Sequence, residues 1–169
     1  MIQLYTGEGK GKTTAATGLA LRALGNGWQV LFVQFMKSVP SGEVTMLRRC
    51  GGEKVRVLRE WDDSFILSRP SDKQIAMARR LWERMGKSVV EERPDLLVLD
   101  EIAVAIAYGL IEETIVLDFI KSHPKTPEIV LTGQRASERL IDAADLVTEM
   151  HKVKHYYDRG VMARRGIEY

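Results

Sequence analysis

The chain has 169 residues, 45% hydrophobic and 28% charged, proportions that suit a globular domain with one sizeable core and exclude a disulfide-stapled miniprotein, a collagen-like repeat or a disordered tail. Lys and Arg number 25 against 23 Asp and Glu, so the formal charge of +2 gives no reason to expect nucleic acid or a membrane surface as partner. Cys50 is the only cysteine, which excludes an intrachain disulfide and any multi-cysteine metal site within one chain, and a reducing, cytoplasmic setting is expected.

The first apolar run, residues 2–5, has no basic segment before it, so no signal peptide is expected. It leads into Thr6-Gly7-Glu8-Gly9-Lys10-Gly11-Lys12-Thr13-Thr14 and then directly into an Ala- and Leu-rich helix over 13–24, which stops at Gly25-Asn26-Gly27. Branched aliphatics recur at 30–35, 55–58, 96–99 and 129–131. These runs are continuous rather than alternating, which predicts strands buried on both faces of a parallel sheet. Between the second and third of them no helix is assigned, and residues 59–70 read as a long irregular loop. A helix over 71–92 follows Pro70, opens on Ser71-Asp72 and carries Ile75, Ala78, Leu81, Trp82, Met85 and Val89 on one stripe. Residues 102–111 form the longest apolar stretch, ten residues, short of the roughly 18 that cross a bilayer, so no membrane span is expected. Helices over 111–122 and 137–144, a last strand over 146–150 and a basic tail over 151–169 complete the chain. His151 and His155 lie four apart in that tail but are interleaved by Lys152 and Lys154, which fits a solvated basic segment better than a metal site.

A strand, a glycine-rich loop and a helix in that order make a phosphate cradle. The glycines aim successive N–H groups inward, the helix N-terminus adds partial positive charge, Lys12 supplies a point charge and Thr13 a hydroxyl for Mg²⁺. The strict G-x-x-x-x-G-K-[ST] spacing is missed, because Thr6 stands where the first Gly would be and Gly7 begins a tighter loop. Residues 96–99 followed by Asp100-Glu101 have the form of a Walker B strand, which delivers a carboxylate to the C-terminal edge of the sheet. The same two acids also suit the N-terminus of a helix over 102–108. Alternation of strand and helix around this loop predicts a single domain over 1–169 with a three-layer α/β/α, P-loop NTPase-like (RecA-like) fold and a mostly parallel sheet.

Several further segments carry a more specific resemblance. The shortened loop GEGKGKTT, VQFMK at 33–37, VLDE at 98–101, LTGQ at 131–134, ADLVTEM at 144–150 and the ending VKHYYDRGVMARRGIEY occur in the order seen in the P-loop type of ATP:corrinoid adenosyltransferase, the CobA-type cob(I)alamin adenosyltransferases. The resemblance covers essentially the whole chain. It implies transfer of the 5′-deoxyadenosyl group of ATP to the cobalt(I) of a corrinoid, cobalamin or a precursor, with release of triphosphate, the nucleotide lying across the loop in the reverse of the usual sense.

By resemblance, Gly7, Glu8, Gly9, Lys10, Gly11, Lys12, Thr13 and Thr14 form the ATP site, and Lys12 neutralises the leaving group. Thr13 and Glu101 are the expected Mg²⁺ ligands, with Asp100 as a third candidate, and the Glu8 side chain is expected to point outward. Trp61 and Phe65, in the irregular loop, match the family's corrinoid-pocket aromatics; each could equally anchor the loop on the core. A flavodoxin-type reductant and a homodimer are further family expectations. The bare loop by itself also allows a nucleoside or small-molecule kinase, for which Arg159, Arg164 and Arg165 would supply the lid, or a nucleotide-binding regulator without turnover.

Overall fold

The computed structural model describes residues 1–38, 41–62, 66, 68–123 and 127–168. Six strands, β1 (Ile2–Thr6), β2 (Val30–Gln34), β3 (Val55–Arg59), β4 (Leu96–Asp100), β5 (Glu128–Thr132) and β6 (Leu146–Glu149), join one sheet in the order β3-β2-β4-β5-β1-β6. Every neighbouring pair is parallel. The described helices are α1 (Lys12–Gly25), α2 (Gly42–Gly51), α3 (Asp72–Glu92), α4 (Ile102–Ala107), α5 (Glu113–Ser122) and α6 (Glu138–Ala143), with two short 3-10 turns besides. None of them is long and apolar enough to cross a membrane.

Side chains of the central strands alternate between two cores. Val30, Phe32, Leu96 and Val98 pack with Ala16, Ala20 and Ala23 of α1 and Leu47 of α2. Leu31, Val33, Leu97 and Leu99 pack on the other face with Ala78, Leu81 and Met85 of α3 and with residues of α4, α5 and α6. This is the expected three-layer arrangement, and it explains why β2 and β4 read as continuous apolar runs: every residue of both is buried. β3 departs from that expectation because it is an edge strand, with Leu58 alone buried. β6, the other edge, has all four residues exposed.

Helix α3 begins where its capping box places it. The Ser71 hydroxyl accepts from Gln74 N–H while the Gln74 side chain accepts from Ser71 N–H. α2 was not foreseen. Only Val44 and Leu47 are buried on it, too few to show a helical period, although Ser41 before Glu43 is a start signal.

β5 lies between the strand that carries the glycine-rich loop and the strand that carries the carboxylates. All three therefore end at the same C-terminal edge, where ligands of open α/β sheets bind. β6 fixes the loop from the other side. Met150, just beyond it, donates its N–H to Thr6 O (2.9 Å) and accepts from Gly9 N–H (2.6 Å). A Cβ on Gly9 would lie 2.6 Å from Met150 O and 2.9 Å from His151 C, both backbone atoms that cannot swing aside.

Gly9→Ala should therefore lower the thermal midpoint by several degrees, the consequence of about 1–3 kcal/mol of overpacking, and should weaken nucleotide binding with it. Calorimetry with a nucleotide titration checks this, and an unchanged midpoint contradicts the close approach.

Candidate functional site

The loop turns into α1 at Gly11, whose φ of 123° is open to glycine and which caps the helix without a side chain. Lys12, the first residue of α1, is 7% exposed, and its ammonium donates to Gly7 O (2.8 Å) and Gly9 O (2.7 Å). Burial pulls its pKa below the usual lysine range, while Glu101 and Asp100 act in the opposite direction. A buried cation held by its own loop's carbonyls is a charge stored at the mouth of the cradle, available to an anion that offers better acceptors.

Asp100, at the end of β4, is fully buried and takes four donors. Thr13 Oγ1 (2.9 Å) and Thr132 Oγ1 (2.7 Å) donate to Oδ1, and Gln34 Nε2 (3.0 Å) and Lys37 Nζ (3.3 Å) donate to Oδ2. Thr132 also accepts from Glu101 N–H at 2.9 Å, so the last residue of β5 holds both Asp100 and Glu101, the residue just after β4. Glu101 sits at φ 64°, ψ 18°, a left-handed conformation that is costly for a non-glycine residue. It is the N-cap residue of α4, so the acids do stand at a helix start as expected, although its side chain makes no cap hydrogen bond. Among the described residues no protein hydrogen bond ties its carboxylate, which lines the cleft.

That cleft has a volume of about 810 Å³ and is walled by residues 8–14 of the loop, by Lys37, Glu43 and Glu101, and by the tail through His155 and residues 166–168. Residues 8–14 of the expected ATP set thus line one cavity, and Gly7 stands in the wall of a second, about 670 Å³, on the other side of the loop. Glu8 is exposed and stands in the walls of both spaces. Lys10 Nζ donates to Ile167 O at 2.9 Å and ties the tail to the loop. Within the tail, Glu168 hydrogen-bonds Tyr156 and Arg164, and the Arg164 guanidinium lies 4.8 Å over the Tyr156 ring. His155 accepts from Tyr157 N–H and packs on Tyr156 rather than pairing with His151.

Trp61 is half-buried and lines a smaller hollow of about 270 Å³ with Arg59, Glu60, Asp62 and Met77. Lys37 lines both this hollow and the large cleft, so the two spaces share one wall. Ion pairs bind the Trp61 segment to α3, with Glu60 on Arg80 (2.5 Å) and Arg84 (3.1 Å) and Asp62 on Lys73 (2.6 Å). Phe65 lies outside the described residues.

A family model for ATP:corrinoid adenosyltransferase BtuR/CobO/CobP matches residues 1–169. The chain belongs to that adenosyltransferase family. Among its relatives, a corrinoid adenosyltransferase of Sinorhizobium is 34% identical over 171 residues, covering all of this chain and 80% of that protein. Corrinoid adenosyltransferases of Escherichia coli K12 and Salmonella typhimurium LT2 are each 35% identical, and each comparison covers all of this chain and 85% of the relative.

For an adenosyltransferase of this family the structure adds residues to the site that the sequence reading did not assign: Gln34, Lys37, Thr132 and Met150. A polar residue closing a buried apolar strand was the available signal for two of them. Gln34 ends VLFVQ and Thr132 ends EIVLT, and both are fully buried.

Burial, and next the nearby Asp100, push the Glu101 carboxyl above its usual range despite Lys37 and Lys12. A raised acid contributes stability that is present below its unfolded pKa and lost as pH rises through the folded one. Without nucleotide or divalent cation, Glu101→Gln should melt above the unsubstituted protein at pH 7, with the gap closing toward acid pH. Scanning calorimetry across pH checks it, and a gap that widens toward acid contradicts the assignment.

Proposed function

We propose that this chain transfers the 5′-deoxyadenosyl group of ATP to the cobalt(I) of a corrinoid, cobalamin or a precursor, and releases triphosphate, in the formation or salvage of adenosylcobalamin. The full-length family match carries the reading, and the convergence of the loop with Asp100 and Glu101 at one sheet edge supports it. In the reaction a bond forms between cobalt and C5′ while the bond from C5′ to oxygen breaks, and its electron pair leaves with the triphosphate. Cobalt(I) in the substrate is already a strong nucleophile, so the protein needs no general base. Its work is alignment of C5′ and stabilisation of charge on the departing oxygens.

Lys12 suits the second task, since its ammonium exchanges the Gly7 and Gly9 carbonyls for triphosphate oxygens. Mg²⁺ prefers oxygen ligands, and the donors here are all oxygens. Thr13 spends its hydroxyl proton on Asp100, which leaves its lone pairs for a cation, and Glu101 lines the same cleft. Thr13 and Glu101 would hold the ion, with Asp100 orienting Thr13. When bound, the cation adds positive charge against the leaving group.

The hollow beside Trp61 is our choice for the corrinoid side, where Trp61 and Met77 are the apolar groups that would displace the lower ligand of cobalt, and Phe65 is kept as a second pocket aromatic on the resemblance alone. The tail over residues 151–169 acts as the lid of the nucleotide cleft. A single domain over 1–169, a cytoplasmic setting, a flavodoxin-type electron donor and a homodimeric assembly complete the proposal. The kinase alternative is not favoured: the family match goes against it, and Arg164 is engaged by Glu168 and Tyr156.

Protein supplied with ATP, Mg²⁺ and chemically reduced cobalamin should yield a light-sensitive alkylcobalamin and triphosphate, whereas ADP or diphosphate as the product overturns the reading. In that assay Lys12→Ala should lower kcat by about 10²–10³, as loss of one charge-stabilising group does, and turnover close to the unsubstituted rate would remove Lys12 from the mechanism.

A further inference from the structure

Lys37 occupies a place that the activity above does not assign. Its ammonium lies 3.3 Å from Asp100 Oδ2 and 3.5 Å from Thr13 Oγ1, so it sits against the buried carboxylate and the hydroxyl beside which a divalent cation would bind. Thr13 gives its proton to Asp100 and turns its lone pairs toward Lys37. Among the described residues Lys37 is the one cation within ion-pair distance of Asp100.

Its base is fixed while its end reaches the open cleft. Met36, two residues after the end of β2, takes a left-handed φ of 54°, Phe35 N–H donates to Asp100 O (3.0 Å), and Arg59 Nη2 donates to Lys37 O (3.0 Å). The side chain is 31% exposed to the cleft, and Glu43 of α2 stands 3.8 Å from the ammonium as a second acceptor. Asp100, Glu101 and Glu43 face Lys12, Lys37 and Arg59, so three acids meet three bases before any ligand enters. A divalent cation entering alone would place two further positive charges beside Lys37, whereas a cation entering with a triphosphate gives Lys37 new acceptors to move to.

We propose that Lys37 is a built-in counter-cation of the Thr13, Asp100 and Glu101 site: it neutralises Asp100 while the cleft is free of nucleotide and passes to the triphosphate when the metal enters. Metal and nucleotide are then taken up together, and free divalent cation is refused. The proposal rests on the reading of Thr13 and Glu101 as metal ligands.

Mn²⁺ binding to the full chain, followed by electron paramagnetic resonance or calorimetry with and without ATP, tests it. Lys37→Met should bind Mn²⁺ without nucleotide at least about ten-fold more tightly than the unsubstituted protein, because the competing charge is gone. Its thermal midpoint should rise at Mn²⁺ concentrations that leave the unsubstituted protein unmoved. Lys37→Gln, which keeps a donor for Asp100 but no charge, should behave alike and serves if the methionine variant fails to fold. Nucleotide-free Mn²⁺ affinity equal to that of the unsubstituted protein in both variants, with Mn²⁺ still bound when ATP is present, overturns the role of Lys37 alone. Mn²⁺ binding to the unsubstituted protein that is absent even with ATP, or that Glu101→Gln leaves unaltered, overturns the metal site and the Lys37 proposal together.

Discussion

The arrangement of the site depends on one buried carboxylate. An ionised Asp100 with no solvent contact would be strongly destabilising if left alone, and removing a single partner from such a group typically costs about 3–5 kcal/mol. The fold supplies four donors from four different places: Thr13 from the start of α1, Gln34 from the end of β2, Lys37 from the turn after β2 and Thr132 from the end of β5. Meeting the needs of Asp100 therefore fixes the phosphate loop relative to the sheet edge. Thr132 holds the Glu101 backbone as well, so Glu101 and Thr13 come to the wall of the same cleft.

Strain gathers at the same edge. Met36, Glu101 and Arg135, which follow β2, β4 and β5, are three of the four described non-glycine residues with positive φ, and each such conformation costs on the order of 1–3 kcal/mol. Each turns the chain sharply just after its strand, so that side chains project over the C-terminal edge instead of continuing along it. The offsetting stability comes from β2, β4 and the two cores they serve, where burial is nearly complete. A rigid, apolar sheet thus carries a polar and locally strained rim, which suits a reaction whose demands are alignment and charge placement.

Much of this frame can be read in the residues. The strands at 30–34 and 96–100 show as apolar runs because both faces are covered, and α3 shows through its stripe and capping box. α2 is hidden because two buried residues make no period, whereas β6, though fully exposed, is the strand expected over 146–150. In the site, Lys12, Thr13, Asp100 and Glu101 were legible from local motifs, each of which is continuous in sequence. Gln34, Lys37 and Thr132 stand in segments that carry the resemblance, but their meeting at Asp100 was not legible, because it depends on β2, β4 and β5 being neighbours, and strand order is a property of the assembled sheet. Met150 was hidden likewise, since only the pairing of β6 with β1 brings it against Gly9.

The central claim is that the phosphate loop serves attack at carbon, with the whole triphosphate as the leaving group. ATP carrying ¹⁸O in the bridge between C5′ and the α-phosphorus distinguishes this from phosphoryl transfer, because attack at carbon breaks the bond from C5′ to that oxygen whereas phosphoryl transfer leaves both of its bonds intact. In turnover with reduced cobalamin the account predicts that all of the label appears in released triphosphate and none in the adenosyl product. Label retained on a nucleoside or nucleotide, with phosphate transferred elsewhere, would contradict it.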